Sequence, residues 1–171
     1  LINYGIKNNS KKILFASSMS VYGDASCNDS GVTEEQFFEP KSCYGIGKLA
    51  AEKYLNIFKN KLPFVALRMF NVYGPGQDME NMKQGMVSIY LSQAIKYNEI
   101  IVKGSLARFR DFIYVDDVVE AWYRASFCEE ALNHAINLGT GKKTTVHDLI
   151  EEIKFITKVD KIKLEGETPC D

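Results

Sequence analysis

The sequence of 171 residues predicts an α/β fold with a mostly parallel sheet. Short apolar runs alternate with amphipathic stretches along the chain, which is typical of strands connected by helices. The composition is 46% hydrophobic and 25% charged, which is that of a globular protein, and the length is sufficient for a buried core. Disordered, collagen-like and low-complexity classes are therefore excluded.

Two strands and one helix are predicted in the first half of the chain. The apolar run 12–16 predicts a buried strand, and a polar loop follows it to about residue 43. Apolar residues recur at intervals of three and four over 44–60, which predicts a helix that Pro63 ends. The run 64–70 predicts the second strand.

The second half begins with a Gly-, Pro- and Asn-rich loop over 71–84. Asp116 or Asp117 is predicted to be the N-cap of one of its helices. The predicted elements are helices over 86–97, 118–125 and 146–158, and strands over 100–102, 111–115, 135–138 and 162–164.

Charge and cysteine usage exclude several function classes. The 21 basic and 22 acidic residues leave a net charge of −1, so no basic field is available for nucleic acid or an anionic membrane. No apolar run approaches the ~18 residues of a membrane span. No metal site is expected, and the scattered thiols indicate a reducing cytoplasm. The scattered side chains are Cys27, Cys43, Cys128, Cys170, His134 and His147.

Tyr44 and Lys48 lie four residues apart at the head of a predicted helix and therefore project from one face. A phenol titrates near pH ~10 and is a poor base at neutrality. An ammonium one turn away favours the phenolate, so the pair could take a proton from an alcohol. The alternative interpretation is a surface tyrosine beside a solvated lysine.

Serine hydroxyls follow the first predicted strand. Ser17 and Ser18 come directly after Ala16, and ligands of open α/β sheets bind at the carboxyl ends of strands. A hydroxyl there could donate to the oxygen that Tyr44 deprotonates. The alternative is a serine turn that satisfies its own backbone.

Four motifs, in this order, resemble the extended short-chain dehydrogenase/reductase superfamily, and within it the nucleotide-sugar epimerases, above all the UDP-glucose 4-epimerases. The resemblance covers essentially the whole chain and implies a Rossmann-like, doubly wound, mostly parallel sheet with a small α/β substrate-binding portion. The motifs are SSMSVYG at 17–23, Tyr44-x-x-x-Lys48, LRMFNVYGPG at 67–76 and RDFIYVDD at 110–117.

The resemblance implies catalytic roles for Ser18, Tyr44 and Lys48. Ser18 would bind the sugar hydroxyl, Tyr44 would be the base, and Lys48 would favour the phenolate and hold the nicotinamide ribose. Ser17 and Phe70 would join Tyr44 and Lys48 in binding the cofactor. That cofactor is expected to be NAD, with NADP as the alternative.

The resemblance also implies a nucleotide-sugar substrate. Asn71 and Arg110 would contact its diphosphate, and a guanidinium suits phosphate oxygens. Arg110 could instead be solvated beside Asp111. Lys103 occupies the position at which galactose-type epimerases usually have an aromatic residue against the uracil. Lys83 occupies the region that supplies a second base in ADP-heptose 6-epimerases.

The expected reaction is NAD-dependent epimerisation, most simply at C4 of a UDP-hexose through a 4-keto intermediate. Met19 and Ser20 replace the acidic residues of related dehydratases and decarboxylases, so those activities are disfavoured. The alternatives are an ADP-heptose-like 6-epimerase, a 4-keto-sugar reductase using NADP, and an inactive binding or assembly fragment.

No glycine-rich dinucleotide-binding turn follows a strand in this sequence. In the family that turn lies on the first strand, so the resemblance implies an internal fragment of a longer enzyme. Residues 1–75 would be the C-terminal part of the NAD-binding domain. Residues 76–171 would mainly bind the nucleotide sugar, with 110–140 returning to the main sheet. A homodimer through the Tyr44 helix is also implied.

Overall fold

The computed structural model describes residues 1–23, 31–83 and 85–166. Contacts divide the chain into two compact units. The first unit comprises Leu1–Phe70 and Asp116–Leu138, and the second comprises Asn71–Val115 and Gly139–Asp171.

Both units contain helices and strands. The helices are α1 (Ile2–Lys7), α2 (Cys43–Phe58), α3 (Met86–Tyr97), α4 (Val115–Phe127) and α5 (Val146–Thr157), with a short 3₁₀ helix at Met19–Val21. The strands are β1 (Ile13–Ser18), β2 (Phe64–Met69), β3 (Asn71–Tyr73), β4 (Ile100–Lys103), β5 (Phe109–Arg110), β6 (Phe112–Tyr114), β7 (His134–Leu138), β8 (Thr144–Thr145) and β9 (Ile162–Glu165).

The first unit contains a parallel sheet of order β1-β2-β7. Alternate side chains of the central strand β2 point to opposite faces. Phe64 and Ala66 pack with Leu55 of α2, whereas Val65 and Leu67 pack in the cluster that contains Ala125 of α4. Helices therefore cover both faces, which confirms the predicted doubly wound arrangement.

The carboxyl ends of the three strands lie in register. Ser18 at the end of β1 is opposite Met69 of β2, and Met69 is opposite Leu138 of β7. Parallel strands end at the same edge of a sheet, which is where ligands of this fold class bind. The sheet thus places the predicted serines at its carboxyl edge.

The second unit has its own core between α3, α5 and the parallel pair β4-β9. A second parallel pair, β3-β6, and an antiparallel pair, β5-β8, complete this unit. The core side chains are Tyr90, Ala94, Ile100, Val102, Val146, Ile150, Ile153 and Val159.

The structure confirms the predicted long helices and strands, but α1, the 3₁₀ helix, β3, β5 and β8 were not predicted. Residues 71–73, predicted to be a loop, form β3 because they pair with Phe112–Tyr114. Helix α4 begins at Val115, so Asp116 and Asp117 occupy its first turn and are not its N-cap. Carboxylates in a first turn interact favourably with the helix dipole.

Thr145 caps α5 in a reciprocal arrangement. Its hydroxyl accepts a hydrogen bond from Asp148 N at 3.0 Å, and the Asp148 carboxylate accepts one from Thr145 N at 3.1 Å. We expect Thr145→Ala to lower the free energy of unfolding by about 1 kcal/mol. Urea unfolding followed by circular dichroism measures this change, with Thr33→Ala in an exposed loop segment as the control.

This cap should also weaken in acid. The hydrogen bonds from Thr145 hold the pKa of the Asp148 carboxyl below its ordinary value. A lowered folded-state pKa means that the stabilisation is present at neutral pH and is lost as the pH falls through that pKa. The difference between Thr145→Ala and the parent should therefore narrow below pH ~4. An unchanged difference at acid pH would contradict this role of Asp148.

Candidate active site

Tyr44 and Lys48 share one face at the start of α2. Ser42 is the N-cap, and its hydroxyl accepts from Gly45 N at 3.1 Å, so the helix begins directly before Tyr44. The Lys48 ammonium lies 5.3 Å from the centroid of the Tyr44 ring. Tyr44 is 54% exposed, so much of the residue is accessible to a ligand.

Lys48 also ties α2 to β1. Its Nζ donates to the carbonyl oxygen of Ala16 at 2.7 Å and lies 5.2 Å from the centroid of the Phe15 ring. An ammonium has three N–H donors, and this bond uses one of them. Lys48, which is predicted to stabilise the phenolate and to hold the ribose, is therefore hydrogen-bonded to the strand that carries Ser18.

Ser18 forms the local serine turn that was the alternative to a hydroxyl contacting the substrate. Its hydroxyl accepts from Ser20 N at 3.2 Å and donates to Ser20 Oγ at 3.2 Å. A hydroxyl has one donor and two acceptor sites, so these bonds use the Ser18 donor and leave one acceptor site. Ser18 thus caps the short 3₁₀ helix while standing at the carboxyl end of β1.

A close backbone approach brings α2 against the segment after Ser18. A Cβ added at Gly45 would clash with the carbonyl oxygen of Ser20 and lie 3.0 Å from Pro40 Cβ. Only glycine lets the first turn of α2 come this near. Gly45 therefore fixes the approach of the Tyr44 helix to the Ser18–Ser20 turn.

We expect Gly45→Ala to lower the free energy of unfolding by about 1–3 kcal/mol, since overpacking forces the backbone to shift. Gly47→Ala is the matched control, because a Cβ there meets no atom within 4 Å among the described residues. This control should gain about 0.5–1 kcal/mol from the better helix former. Equal stabilities of the two variants in urea unfolding would contradict the close approach.

A buried ion pair connects α2 with β2. Arg68 of β2 donates to the Glu52 carboxylate through Nε at 3.0 Å and Nη2 at 2.7 Å. Glu52 is 6% exposed and Arg68 is 4% exposed. The hydroxyl of Ser17, itself fully buried, donates to Oε1 of Glu52. The contact of Ser17 with the cofactor stays a prediction.

The network continues through Tyr22. Arg68 Nη1 donates to the Tyr22 hydroxyl at 2.6 Å, and that hydroxyl donates to Asn137 Oδ1 at 2.7 Å. Burial raises the pKa of Tyr22, although the hydrogen bond from Arg68 opposes this. Burial alone would lower the pKa of Arg68, but its hydrogen bonds and the charge of Glu52 raise it overall.

The sequence interpretation did not include this network. The sequence contains two signals of the network: an arginine inside the apolar run 64–70, and a glutamate one turn after Lys48. A charge in an apolar strand is rarely buried unless it is paired.

The candidate residues at the start of the second unit meet at Asp111. Both the backbone N and the side-chain Nδ2 of Asn71 donate to the carbonyl oxygen of Asp111, at 3.1 and 3.0 Å. The Asp111 carboxylate accepts from Thr140 N at 2.9 Å and Gly141 N at 2.8 Å. Arg110 precedes Asp111 directly, so Asn71 and Arg110 are brought together although 38 residues separate them in sequence.

The remaining candidates lie on other segments. Phe70 follows β2, and its backbone N donates to Leu138 O at 3.1 Å, so it belongs to the carboxyl edge of the first unit. In the second unit, Lys103 ends β4 and is exposed. Lys83 lies in an exposed turn before α3, and its neighbour Gln84 falls outside the described residues.

Among residues 1–23, 31–83 and 85–166, no group of three His, Cys, Asp or Glu side chains could hold a metal ion. No helix in that part of the chain is long and apolar enough to cross a bilayer. Cys43 and Cys128 are free thiols, and Cys27 and Cys170 lie outside the described residues.

The sequence pattern of the NAD dependent epimerase/dehydratase family matches residues 1–139. The chain belongs to this family. This match confirms the resemblance found in the sequence, and it confirms that the family is an NAD-dependent class of enzymes.

Relatives in the family catalyse more than one reaction on nucleotide sugars. The chain is 36% identical over 146 residues to a putative UDP-glucose 4-epimerase of Methanocaldococcus jannaschii, covering 84% of this chain and 46% of that protein. It is 35% identical over 152 residues to dTDP-4-dehydro-6-deoxyglucose reductase of Escherichia coli, covering 87% of this chain and 46% of that protein. The chain thus spans about half the length of these relatives.

The fold matches a solved structure over the whole chain. This structure is the UDP-N-acetylglucosamine 4-epimerase of Methanobrevibacter ruminantium M1 in complex with UDP-N-acetylmuramic acid. The TM-score is 0.93 at 32% identity, and the match covers 100% of this chain and 55% of the other.

Proposed function

We propose that the protein containing this chain is an NAD-dependent nucleotide-sugar epimerase that acts at C4 of a UDP-hexose. The observation that carries this proposal is the exposed Tyr44 phenol with the Lys48 ammonium beside it, on a helix tied to the strand that ends at Ser18. The similarity to 4-epimerases of UDP-sugars supports the choice of substrate class.

Tyr44 is the base in this proposal. Its phenolate takes the proton of the C4 hydroxyl. Ser18 donates a hydrogen bond to the same oxygen once its hydroxyl has turned away from Ser20 Oγ. Lys48 stabilises the phenolate through its positive charge. After the 4-keto sugar has turned, the same groups return the proton to the C4 oxygen, and hydride would return to the opposite face of C4, so the reaction ends without net oxidation.

The residues at this edge suit a dinucleotide. The Lys48 ammonium has N–H donors beyond the one given to Ala16, and these would hold the ribose hydroxyls. Phe70 lies at the same sheet edge, next to where a nicotinamide ring would pack. NAD, when bound there, supplies reversible hydride transfer at C4.

Asn71 and Arg110 would hold the diphosphate of the substrate. Asp111 contacts Asn71 and the 140–141 turn, and so fixes the segment that presents both side chains. A guanidinium can donate two parallel hydrogen bonds to phosphate oxygens. Lys103 would face the nucleotide base, and Lys83 would lie near the sugar.

Apolar side chains on α2 support a homodimer through this helix. Ile46, Tyr54 and Ile57 are 55%, 61% and 71% exposed and follow one helical face. A second copy of the protein would remove these side chains from water. The free thiols Cys43 and Cys128 agree with a cytoplasmic location.

A turnover assay on the complete protein tests the proposal. UDP-glucose is incubated with the purified protein, and UDP-galactose is followed by proton NMR. The nucleotide released on denaturation is identified by mass spectrometry. Interconversion with bound NAD is expected, whereas no interconversion of any UDP-hexose would overturn the proposal.

A 4-keto-sugar reductase is the second candidate, because the E. coli relative at 35% identity has that function. Both reactions use a tyrosine and lysine pair, so these residues do not distinguish them. Stoichiometric oxidation of NADPH by a dTDP-4-keto sugar, without interconversion of UDP-hexoses, would favour the reductase.

A further inference from the structure

Two successive turns of α2 are joined to two successive residues of β1. Lys48 donates to the carbonyl oxygen of Ala16, and one turn later Glu52 accepts from the hydroxyl of Ser17. Both bonds connect the helix that carries Tyr44 with the strand that ends at Ser18. They therefore set the position of Tyr44, the predicted base, relative to Ser18, the predicted hydroxyl donor.

A third connection reaches the neighbouring strand. Ser17 and Arg68 are directly opposite in the parallel ladder, and both contact the Glu52 carboxylate. Three hydrogen bonds fix that carboxylate, two from the guanidinium and one from Ser17. Glu52 therefore holds α2 across β1 and β2 at one defined register.

We propose that Ser17, Glu52 and Arg68 are positioning residues that set the register of α2 on the sheet and thereby place Lys48 and Tyr44 relative to Ser18. This inference rests on the proposed function. A buried ion pair often stabilises a fold no better than apolar side chains of similar volume. Its hydrogen bonds are directional, however, and an apolar replacement would let the helix slide.

The test uses Ser17→Ala in the complete protein. This variant removes one connection and leaves both charged partners of the ion pair in place, so the protein should fold. We expect kcat to fall about tenfold because a small misplacement of a base costs much of its effect. The KM for the nucleotide sugar and the amount of bound NAD should stay within about twofold.

A second measurement does not depend on turnover. An amine-acetylating reagent is applied briefly, and the modification of Lys48 relative to the other lysines is quantified by mass spectrometry. We expect acetylation of Lys48 to rise at least about threefold in Ser17→Ala, because loss of the register weakens its bond to Ala16. Ser17→Thr keeps a hydroxyl and should restore part of both wild-type values.

Ser92→Ala is the matched control. Ser92 is 1% exposed, and its hydroxyl donates to Met79 O at 2.7 Å in the other unit. Ser92→Ala should lower the free energy of unfolding by about as much as Ser17→Ala does, without changing the acetylation of Lys48. A general loosening of the protein would change both variants alike.

The outcomes separate the two proposals. Unchanged kcat and unchanged Lys48 acetylation in Ser17→Ala would overturn the positioning role. Loss of bound NAD would also overturn it, because Ser17 would then act on the cofactor. If the wild-type protein converts no UDP-hexose, the proposed function is wrong, and the acetylation measurement alone decides the positioning role.

Discussion

Replacement of Tyr44 by phenylalanine is expected to lower kcat by about 10²–10⁴, which is the usual contribution of general acid–base catalysis. The change removes one hydroxyl from a side chain that is 54% exposed, so the fold should be kept. Bound NAD should also be retained, because Lys48 remains in place against Ala16. The interconversion of UDP-glucose and UDP-galactose measures the effect.

Tyr54→Phe is the matched control for this prediction. Tyr54 lies on the same helix and is 61% exposed, but no catalytic role is assigned to it. Its variant should keep wild-type kcat. Retention of more than half of the activity by Tyr44→Phe would contradict the assignment of the base.

The largest effect on stability is expected from Arg68→Met. This change leaves the Glu52 carboxylate buried without its guanidinium partner, and the side chains of the pair are only 7% and 5% exposed. Breaking a buried ion pair by removing one partner costs about 3–5 kcal/mol. Urea unfolding followed by circular dichroism measures the change in the free energy of unfolding.

Arg124→Met is the control for the ion pair. Arg124 contacts Glu120 at 2.7 Å on the surface of α4, and the two side chains are 77% and 56% exposed. Loss of an exposed pair should cost less than about 1 kcal/mol. Equal destabilisation by both variants would contradict the assigned burial of the Glu52–Arg68 pair.

The double variant Glu52→Leu/Arg68→Met separates stability from positioning. Apolar side chains of similar volume should restore much of the stability that Arg68→Met alone loses. They cannot accept the hydrogen bond from Ser17, so the register of α2 should stay undefined. We therefore expect a stable protein with low kcat.

The local features of the fold were predictable from the sequence because they depend on neighbouring residues. The apolar runs of β1 and β2 and the periodicity of α2 fixed these elements to within a few residues. The pairing of Tyr44 with Lys48 followed from their spacing of four. The position of the serines followed from the end of β1.

The features that were missed depend on contacts between distant segments. Glu52 and Arg68 belong to different elements, and only the tertiary structure joins them with Ser17. Strand β3 is three residues long, too short for periodicity to indicate a strand, and it exists because it pairs with β6. Likewise, the sequence named Asn71 without indicating that Asp111 would hold it.

Conversion of UDP-glucose in D₂O by the complete protein tests the proposed function most directly. The C4 hydrogen of the UDP-galactose that forms is observed by NMR. Retention of the original hydrogen is predicted, because Tyr44 exchanges only the hydroxyl proton and the C4 hydrogen moves as hydride. Deuterium at C4, or a product that has lost a hydroxyl group, would contradict NAD-dependent epimerisation at that carbon.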